Sequence, residues 1–279
     1  MSKLYGHVIK FIVLVWALTG LISAHASVLF PEKQRYPSYL ADPTAVTFNA
    51  QTMSVEKSTI AQTGERRVDL KLGAVLPIYE TSISDRIWQL TLIGGFHGQF
   101  DSENSQDNIG WDGIYGMDIV AQFDDVWAIR FGMKHISSHV GDEYAERTGR
   151  LRVNYTRQEI RAGIAWHLQP SLIVYTDLAY GYDLRNTALQ EPWRMQIGGQ
   201  YYHPAVFMKN RARWYGAMDI SSYEENDWRN NYTVQAGLVI QSGVHLWRIG
   251  IEYYDGRAQI GEFFQDQERY ISLGVWFDI

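Results

Sequence analysis

The chain has 279 residues, no cysteine and only seven prolines, and beyond its first 26 residues it has no long apolar run. The absence of cysteine excludes the small scaffolds that depend on disulfide bonds, so stability must come from a large cooperative framework. A mean hydropathy of −0.25 and the lack of any later stretch of roughly 18 apolar residues exclude membrane-spanning helices. Membrane strands, in which apolar and polar residues alternate, remain compatible with this composition.

Basic residues are in the minority, with 25 Lys and Arg against 31 Asp and Glu and a net charge of −6. This balance argues against nucleic acid as a partner. The sequence also lacks a nucleophile elbow, a phosphate-binding glycine loop, zinc-type ligand spacing and a Rossmann fingerprint. No cofactor and no metal site are predicted.

Residues 1–26 have the features of a secretory signal peptide. Lys3 and Lys10 precede an apolar run from Phe11 to Ile22. Small residues then flank His25, which predicts a cleavage site after Ala26. The run is too short to span a bilayer as a helix, which needs roughly 20 residues. Cleavage would remove two lysines and no acidic residue, changing the net charge from −6 to −8.

Residues 27–43 contain three prolines and no regular alternation of apolar residues. We expect an ordered or flexible periplasmic lead-in with a structural rather than a catalytic role.

Residues 44–279 carry a repeated two-residue period. Eleven segments of about ten residues alternate apolar and polar side chains, and a weaker one from Thr44 to Lys57 makes twelve, an even number as in bacterial single-chain barrels. One face of a typical segment carries Trp127, Ile129, Phe131 and Met133. The sequence therefore predicts an all-β fold, an antiparallel transmembrane β-barrel of about twelve strands in the bacterial outer membrane.

The connections support this prediction, because short links alternate with long ones, as periplasmic turns alternate with outer loops. The short links are Asp124-Asp125, Gln169-Pro170 and Ser242-Gly243, and the long ones are 101–110, 138–149, 223–229 and 256–267. A soluble periplasmic β-sandwich is the alternative, but its strands usually have roughly five or six residues. Charged residues of the opposite parity either form a polar network that fills the barrel or line a narrow pore, and the network is favoured because twelve strands leave little free bore. These residues are Asp118, Arg130, Lys134, Arg152, Glu159, Arg161 and Asp177.

A candidate catalytic pair lies at the outer end of the segment that begins near Asp125. His135 and Ser137 share the face of the apolar residues listed above, at a height near the outer leaflet. An imidazole beside a hydroxyl is the arrangement in which a base activates a serine nucleophile. Chemistry at this position would act on outer-membrane lipids.

A serine nucleophile also needs a group that orients the imidazole. If Trp127 pairs with Trp166 on the following strand, Thr156 lies opposite Ser137 and Gln158 lies opposite His135. A register slip of two residues would bring Asn154 within reach. All three polar residues remain candidates for this role.

The H-x-S element at the outer end of a lipid-facing strand, followed by a polar orienting residue on the next strand, resembles outer-membrane phospholipase A and, more loosely, the lipid A deacylases. The resemblance implies an acyl-ester hydrolase in which Ser137 is the nucleophile, His135 the base and Asn154 the orienting group. The chain departs from phospholipase A in having Ser138-His139 where that family has Asn-Gly, and in a longer gap between Ser137 and Asn154.

A wider set of motifs resembles a family of bacterial outer-membrane proteins catalogued only as a domain of unknown function. It comprises the string H-x-S-S-H-x-G-D-E from His135 to Glu143, the segment Asn154–Glu159, and the lead-in from Phe30-Pro31 to Ala41-Asp42-Pro43. This resemblance covers most of the mature chain and implies the barrel and its location.

The sequence is also compatible with other interpretations. His, Ser and Gly-Asp are ordinary residues where a strand leaves the hydrocarbon, so the protein could be a non-enzymatic barrel: a narrow channel, an adhesin or an envelope-integrity factor. A metal shared by His135 and His139 is disfavoured, because four residues of strand separate them by about 13 Å. The ending from Ile271 to Ile279 resembles the C-terminal signal that the outer-membrane assembly machinery reads, which predicts that machinery as a partner.

Overall fold

The computed structural model describes residues 27–208, 211–242 and 245–278. The predicted signal peptide, residues 1–26, lies outside them, as does Ile279. Thirteen strands form one antiparallel sheet: β1 (Ser27–Leu29), β2 (Phe48–Ser58), β3 (Arg66–Ile83), β4 (Arg86–Asp101), β5 (Asp107–Gln122), β6 (Trp127–Val140), β7 (Thr156–Gln169), β8 (Leu172–Leu184), β9 (Trp193–Tyr202), β10 (Ala212–Tyr223), β11 (Asn230–Ser242), β12 (His245–Arg257) and β13 (Gln267–Asp278).

Short helices occur only in the connections of the described ranges: α1 (Asp142–Thr148) and two 3₁₀ turns, Glu224–Asn226 and Gly261–Phe263. Within those ranges, no helix has the length and apolarity needed to cross a membrane.

The sheet closes on itself through strands β2 to β13, which confirms the predicted barrel of twelve strands. Each strand pairs with its neighbours in sequence, and β2 pairs with β13 to complete the ring. Strand β1 stands outside this ring and pairs only with the lower end of β3. The predicted register between β6 and β7 is also confirmed, because Trp127 faces Trp166 with ring centroids 4.9 Å apart.

The two faces of the wall differ as the alternation predicted. On β6, the outward-facing Phe131 is 56% exposed, whereas Ala128, which faces inward, is 2% exposed. Exposed Leu, Ile, Val, Met and aromatic side chains continue around the outside of β3 to β13. This outer band is the surface that a bilayer requires of a barrel.

The lumen is filled by paired charges. Glu159, which is 1% exposed, accepts from Arg194 at 2.9 Å and Arg157 at 3.0 Å, and Lys134 lies 3.6 Å away. Further pairs join Arg130 to Asp177 and Arg161 to Asp118. Buried charges are tolerated only where opposite charges and hydrogen bonds compensate for lost water, so these pairs form the predicted lumen network.

Residues 33–46, which we call the inner segment, run inside the periplasmic half of the barrel. The ring of Tyr39 stacks on Tyr175 with centroids 3.5 Å apart, and its hydroxyl donates to Asp177. Farther in, Lys71 Nζ donates to the carbonyl oxygen of Pro43 at 2.5 Å. Burial alone would raise the pKa of Asp42, but Lys134 and the hydrogen bonds from Thr44 outweigh it and lower that pKa.

The outer end is closed by an apolar cap. Helix α1, the turn Gly261–Phe263 and the loop after β2 bring together buried side chains: Ile60, Ile109, Val140, Tyr144, Ala258, Ile260 and Phe263. Beneath the cap, burial and the neighbouring Glu225 raise the pKa of Tyr155. With the inner segment below and this cap above, the barrel is closed at both ends.

We predict that Glu159→Ala lowers the free energy of unfolding by about 3–5 kcal/mol, because it leaves three buried cations without their shared carboxylate. Urea titration of the protein in detergent micelles, followed by tryptophan fluorescence, measures this change. As a control, Asp255→Ala removes a salt bridge to Arg269 in which the side chains are 38% and 42% exposed. That change should be close to neutral, and equal losses from both variants would contradict the proposed importance of the lumen network.

Candidate functional site

The candidate residues lie in a notch on the outer wall, near the outer end of β5 and β6. Two stacked pairs border it: His135 lies on Tyr115 with ring centroids 4.4 Å apart, and His139 lies on Trp111 at 4.2 Å. Ser137 stands between these pairs. Its partner on β5 is Gly113, which has no side chain. We call this opening, bordered by the two aromatic–histidine stacks, the rim notch.

Ser137 contacts His139 rather than His135 in this structure. Its Oγ lies 3.3 Å from Nε2 of His139, while Nδ1 of that ring accepts a hydrogen bond from Arg152. A guanidinium can only donate, so Nδ1 carries no proton and the neutral ring holds its proton on Nε2. In this tautomer Nε2 donates to the serine and cannot act as the base.

The prediction that Arg152 faces the lumen is wrong. Its side chain is exposed and reaches the outer face at His139. Strand β7 begins only at Thr156, so the inside–outside alternation does not extend back to Arg152.

His135 has one ring nitrogen without a hydrogen-bond partner among the described residues, and it has a polar neighbour. That nitrogen, Nδ1, is buried. Gln158 lies directly opposite on β7, as predicted. The Gln158 amide is held by Asp183, which accepts from Nε2 at 2.6 Å, and by Tyr182, which donates to Oε1 at 3.2 Å. Because Oε1 has a second lone pair, it retains the capacity to accept from an imidazole N–H.

The other two candidates for the orienting role, Thr156 and Asn154, precede Gln158 in the chain. Thr156 is the partner of Ser137 across β6 and β7, as predicted. Asn154 precedes β7 in an exposed loop, where its backbone is left-handed with φ 59°. Asparagine tolerates this conformation better than most residues. Neither residue makes a described side-chain contact with His135.

The loop that carries Arg152 is anchored to the outer cap through Glu262. This buried carboxylate accepts from the backbone N–H groups of Val153 at 2.6 Å and Tyr155 at 3.0 Å. The backbone N–H of Glu262 in turn donates to Ser138 Oγ at 2.8 Å. Ser137 and Ser138 therefore have opposite surroundings: one faces the notch and the other is buried within the barrel.

Sequence reasoning missed the side of the notch formed by β5. Trp111, Gly113 and Tyr115 occur at a two-residue spacing and share the outer face of that strand. Their alternation is visible in the sequence, but the partner of each residue depends on the β5–β6 register. Matching the short turn at Asp124-Asp125 to that register would have found them.

Comparison with known proteins identifies the same architecture. The family model described as "Protein of unknown function (DUF1207)" matches residues 17–279. Outer membrane phospholipase A from Escherichia coli is similar in structure, with a TM-score of 0.59 and 13% identity over 88% of this chain and 94% of that chain. The outer membrane phospholipase dimer with bound calcium from Salmonella typhi gives 0.57 and 12% over 83% and 90%.

A more distant barrel is LpxR from Salmonella typhimurium, with a TM-score of 0.44 and 8% identity over 84% of this chain and 100% of that chain. No curated protein matches the chain. At these identities the likeness shows the fold, which is that of bacterial outer-membrane barrels. With the apolar outer band, this fold confirms the predicted location in the outer membrane.

We predict that Arg152→Gln shifts His139 toward the tautomer with its proton on Nδ1, because glutamine offers an oxygen that can accept from that nitrogen whereas arginine only donates. The ¹⁵N chemical shifts of histidine-labelled protein in micelles report the tautomer. Arg185→Gln, at an exposed arginine near the same end of the barrel, is the matched control and should leave the His139 shifts unchanged. An unaltered His139 spectrum in Arg152→Gln would refute the assignment.

Proposed function

The chain belongs to the family described as "Protein of unknown function (DUF1207)", and we propose that this outer-membrane barrel is a serine acyl-ester hydrolase of membrane lipids. The observation that carries the proposal is the rim notch. It leaves Ser137 partly exposed on a lipid-facing wall, because Gly113 opposite it has no side chain and the flanking rings are stacked on the two histidines. An acyl ester at the membrane surface could approach the serine hydroxyl directly.

Ser137 is the proposed nucleophile and His135 the proposed base. The serine lies two residues from each histidine on the same strand, so rotation about its χ1 angle turns Oγ from His139 toward His135. Oγ then attacks the ester carbonyl while His135 takes the hydroxyl proton. The same proton passes to the leaving alcohol as the C–O bond breaks, and water attacks the acyl-serine in the second half of the reaction.

Gln158 is the proposed orienting group. It lies opposite His135, and its Oε1 can accept from Nδ1–H, which would leave Nε2 free to take the serine proton. Asn154 and Thr156, the other candidates, lack this position opposite the imidazole. Asp183 and Tyr182 hold the Gln158 amide in place.

His139 would have a different role from His135. Once Ser137 turns away, the Nε2–H of His139 no longer has the serine oxygen as its partner. Arg152 keeps the proton on that nitrogen, so it can donate to the negative oxygen that forms on the attacked carbonyl. A donor fixed in advance at such a position is a main source of rate enhancement in acyl transfer.

The likeness to barrels named as phospholipases supports the proposal at the level of the fold. A second candidate is a non-enzymatic barrel with a role in the envelope. It is favoured by the filled lumen, and by the contact of Ser137 with His139 instead of His135. For either function we retain the outer-membrane assembly machinery as a proposed partner, through the C-terminal strand that begins at Gln267.

We predict that Ser137→Ala lowers lipid hydrolysis by at least about a thousand-fold per folded barrel, because no other hydroxyl takes its place in the notch. The assay measures fatty-acid release from lipids in reconstituted membranes. The yield of folded barrel is measured by comparing the gel migration of unheated and heated samples. Ser54→Ala is the matched control: it removes an exposed hydroxyl on the outer face of β2, away from the notch, and should retain hydrolysis. Full activity in Ser137→Ala would rule out the hydrolase and favour the second candidate.

Filling the notch gives an independent test. Gly113→Leu should abolish hydrolysis while Ser137 and both histidines remain, because its side chain would occupy the space beside the nucleophile. A Cβ at position 113 meets its nearest neighbours at an ordinary 3.6 Å, so the barrel should fold. Gly216→Leu, on β10 away from the notch, is the control, since a Cβ there has no heavy atom within 4 Å. Equal hydrolysis by the two variants would contradict the proposed approach of substrate.

A further inference from the structure

The periplasmic mouth of the barrel contains two adjoining cavities of about 360 and 240 Å³. They share Tyr202 and Leu246 as lining residues. The inner segment lines the larger cavity, and β10 and β11 line the smaller one. This mouth lies at the opposite end of the barrel from the rim notch, so it is independent of the proposed hydrolase site.

Two arginines make the smaller cavity positively charged. Arg211 and Arg213 lie two residues apart and line it together. Most arginines of the lumen have carboxylate partners: Arg130, Arg157, Arg161, Arg194, Arg248 and Arg257. In contrast, neither Arg211 nor Arg213 has a carboxylate within 4.0 Å in the described part of the chain. Only the ring of Tyr202 faces the Arg213 guanidinium, 5.9 Å away.

Among the described residues, no acidic one lines the smaller cavity. Glu32 and Asp278 line the larger one, where Asp278 is paired with Arg248. The other residues that line the smaller cavity are Pro170, Tyr202, Val239, Gln241 and Leu246. A chain with more acidic than basic residues thus presents a local pair of cations to the periplasm.

We propose that this cavity binds a small organic oxyanion, a carboxylate or a phosphate, from the periplasm. Guanidinium groups donate two parallel hydrogen bonds to such anions, and two guanidinium groups can hold one anion from both sides. Val239, Leu246 and Pro170 provide an apolar wall for a short aliphatic part of the ligand. The volume of the smaller cavity, about 240 Å³, has room for a small oxyanion with a short aliphatic part.

The inner segment forms part of the support of this site. Leu40 and Ala41 belong to the buried cluster that also contains Tyr215, Ala217 and Val239, with Tyr202 and Leu246 packed against it. The pocket is therefore complete only while the inner segment is seated. By linkage, a ligand that binds the complete pocket stabilises the seated segment.

Calorimetric titration of the full-length protein in micelles with glutarate and, separately, with inorganic phosphate tests the proposal. We expect saturable binding of at least one anion, and an affinity at least about ten-fold lower in Arg213→Gln and in Arg211→Gln. Preference for glutarate would identify a carboxylate ligand and preference for phosphate a phosphate ligand. Folding of each variant is checked by heat-modified gel migration, and Arg213→Lys, which keeps the charge, provides a second variant if Arg213→Gln fails to fold.

Arg185→Gln is the matched control, because Arg185 is an exposed arginine at the outer end of the barrel. Its affinity for the anion should equal that of the wild type. The proposal is overturned if neither anion binds saturably at millimolar concentration, or if Arg185→Gln loses as much affinity as the variants in the cavity.

Discussion

The pairing of charges inside the barrel is the constraint on which the structure depends. A wall with apolar residues outside directs the alternate residues inward, and in this chain many of those are charged. Glu159 is paired with three cations at once, and Asp177 accepts both from Arg130, two strands away along the wall, and from Tyr39 of the inner segment. The inner segment is thus held by the groups that neutralise the lumen. This explains why a barrel of this size needs no disulfide and why its lumen is filled by the described residues.

The same alternation made much of the fold predictable from the sequence. Strand number, the outward direction of the apolar rows and the alignment of Trp127 with Trp166 all follow from a two-residue period combined with short turns. The path of the inner segment could not be predicted from the sequence, because Tyr36 and Tyr39 lie in a stretch with no alternation of apolar and polar residues. The polar groups that these tyrosines contact are brought together only when the barrel closes. Arg152 was placed wrongly for a related reason, since periodicity holds only within a strand and this residue lies before one begins.

The candidate site was predictable only in part. Spacing placed Ser137 and His135 on one outer face, and register placed Gln158 opposite the imidazole, as the structure has them. The second histidine and its arginine could not be derived, because their contact depends on the course of a loop held by Glu262, far away in sequence. Spacing along one strand also does not reveal the gap beside Ser137. Gly113 leaves that gap because the β5–β6 register places it opposite Ser137. Two histidines that look equivalent in sequence consequently have different neighbours, one with an acceptor nearby and the other with a donor.

The anchoring of the inner segment has a consequence for how the barrel could change shape. The segment is joined to the wall at both ends, through β1 on β3 and through the start of β2, and both attachments lie at the periplasmic side. It is therefore a tethered loop rather than a threaded tail. Such a loop can leave the lumen and return while every pair of neighbouring strands in the ring stays hydrogen-bonded. The inner segment could therefore move out of the barrel while the membrane-embedded wall stays intact.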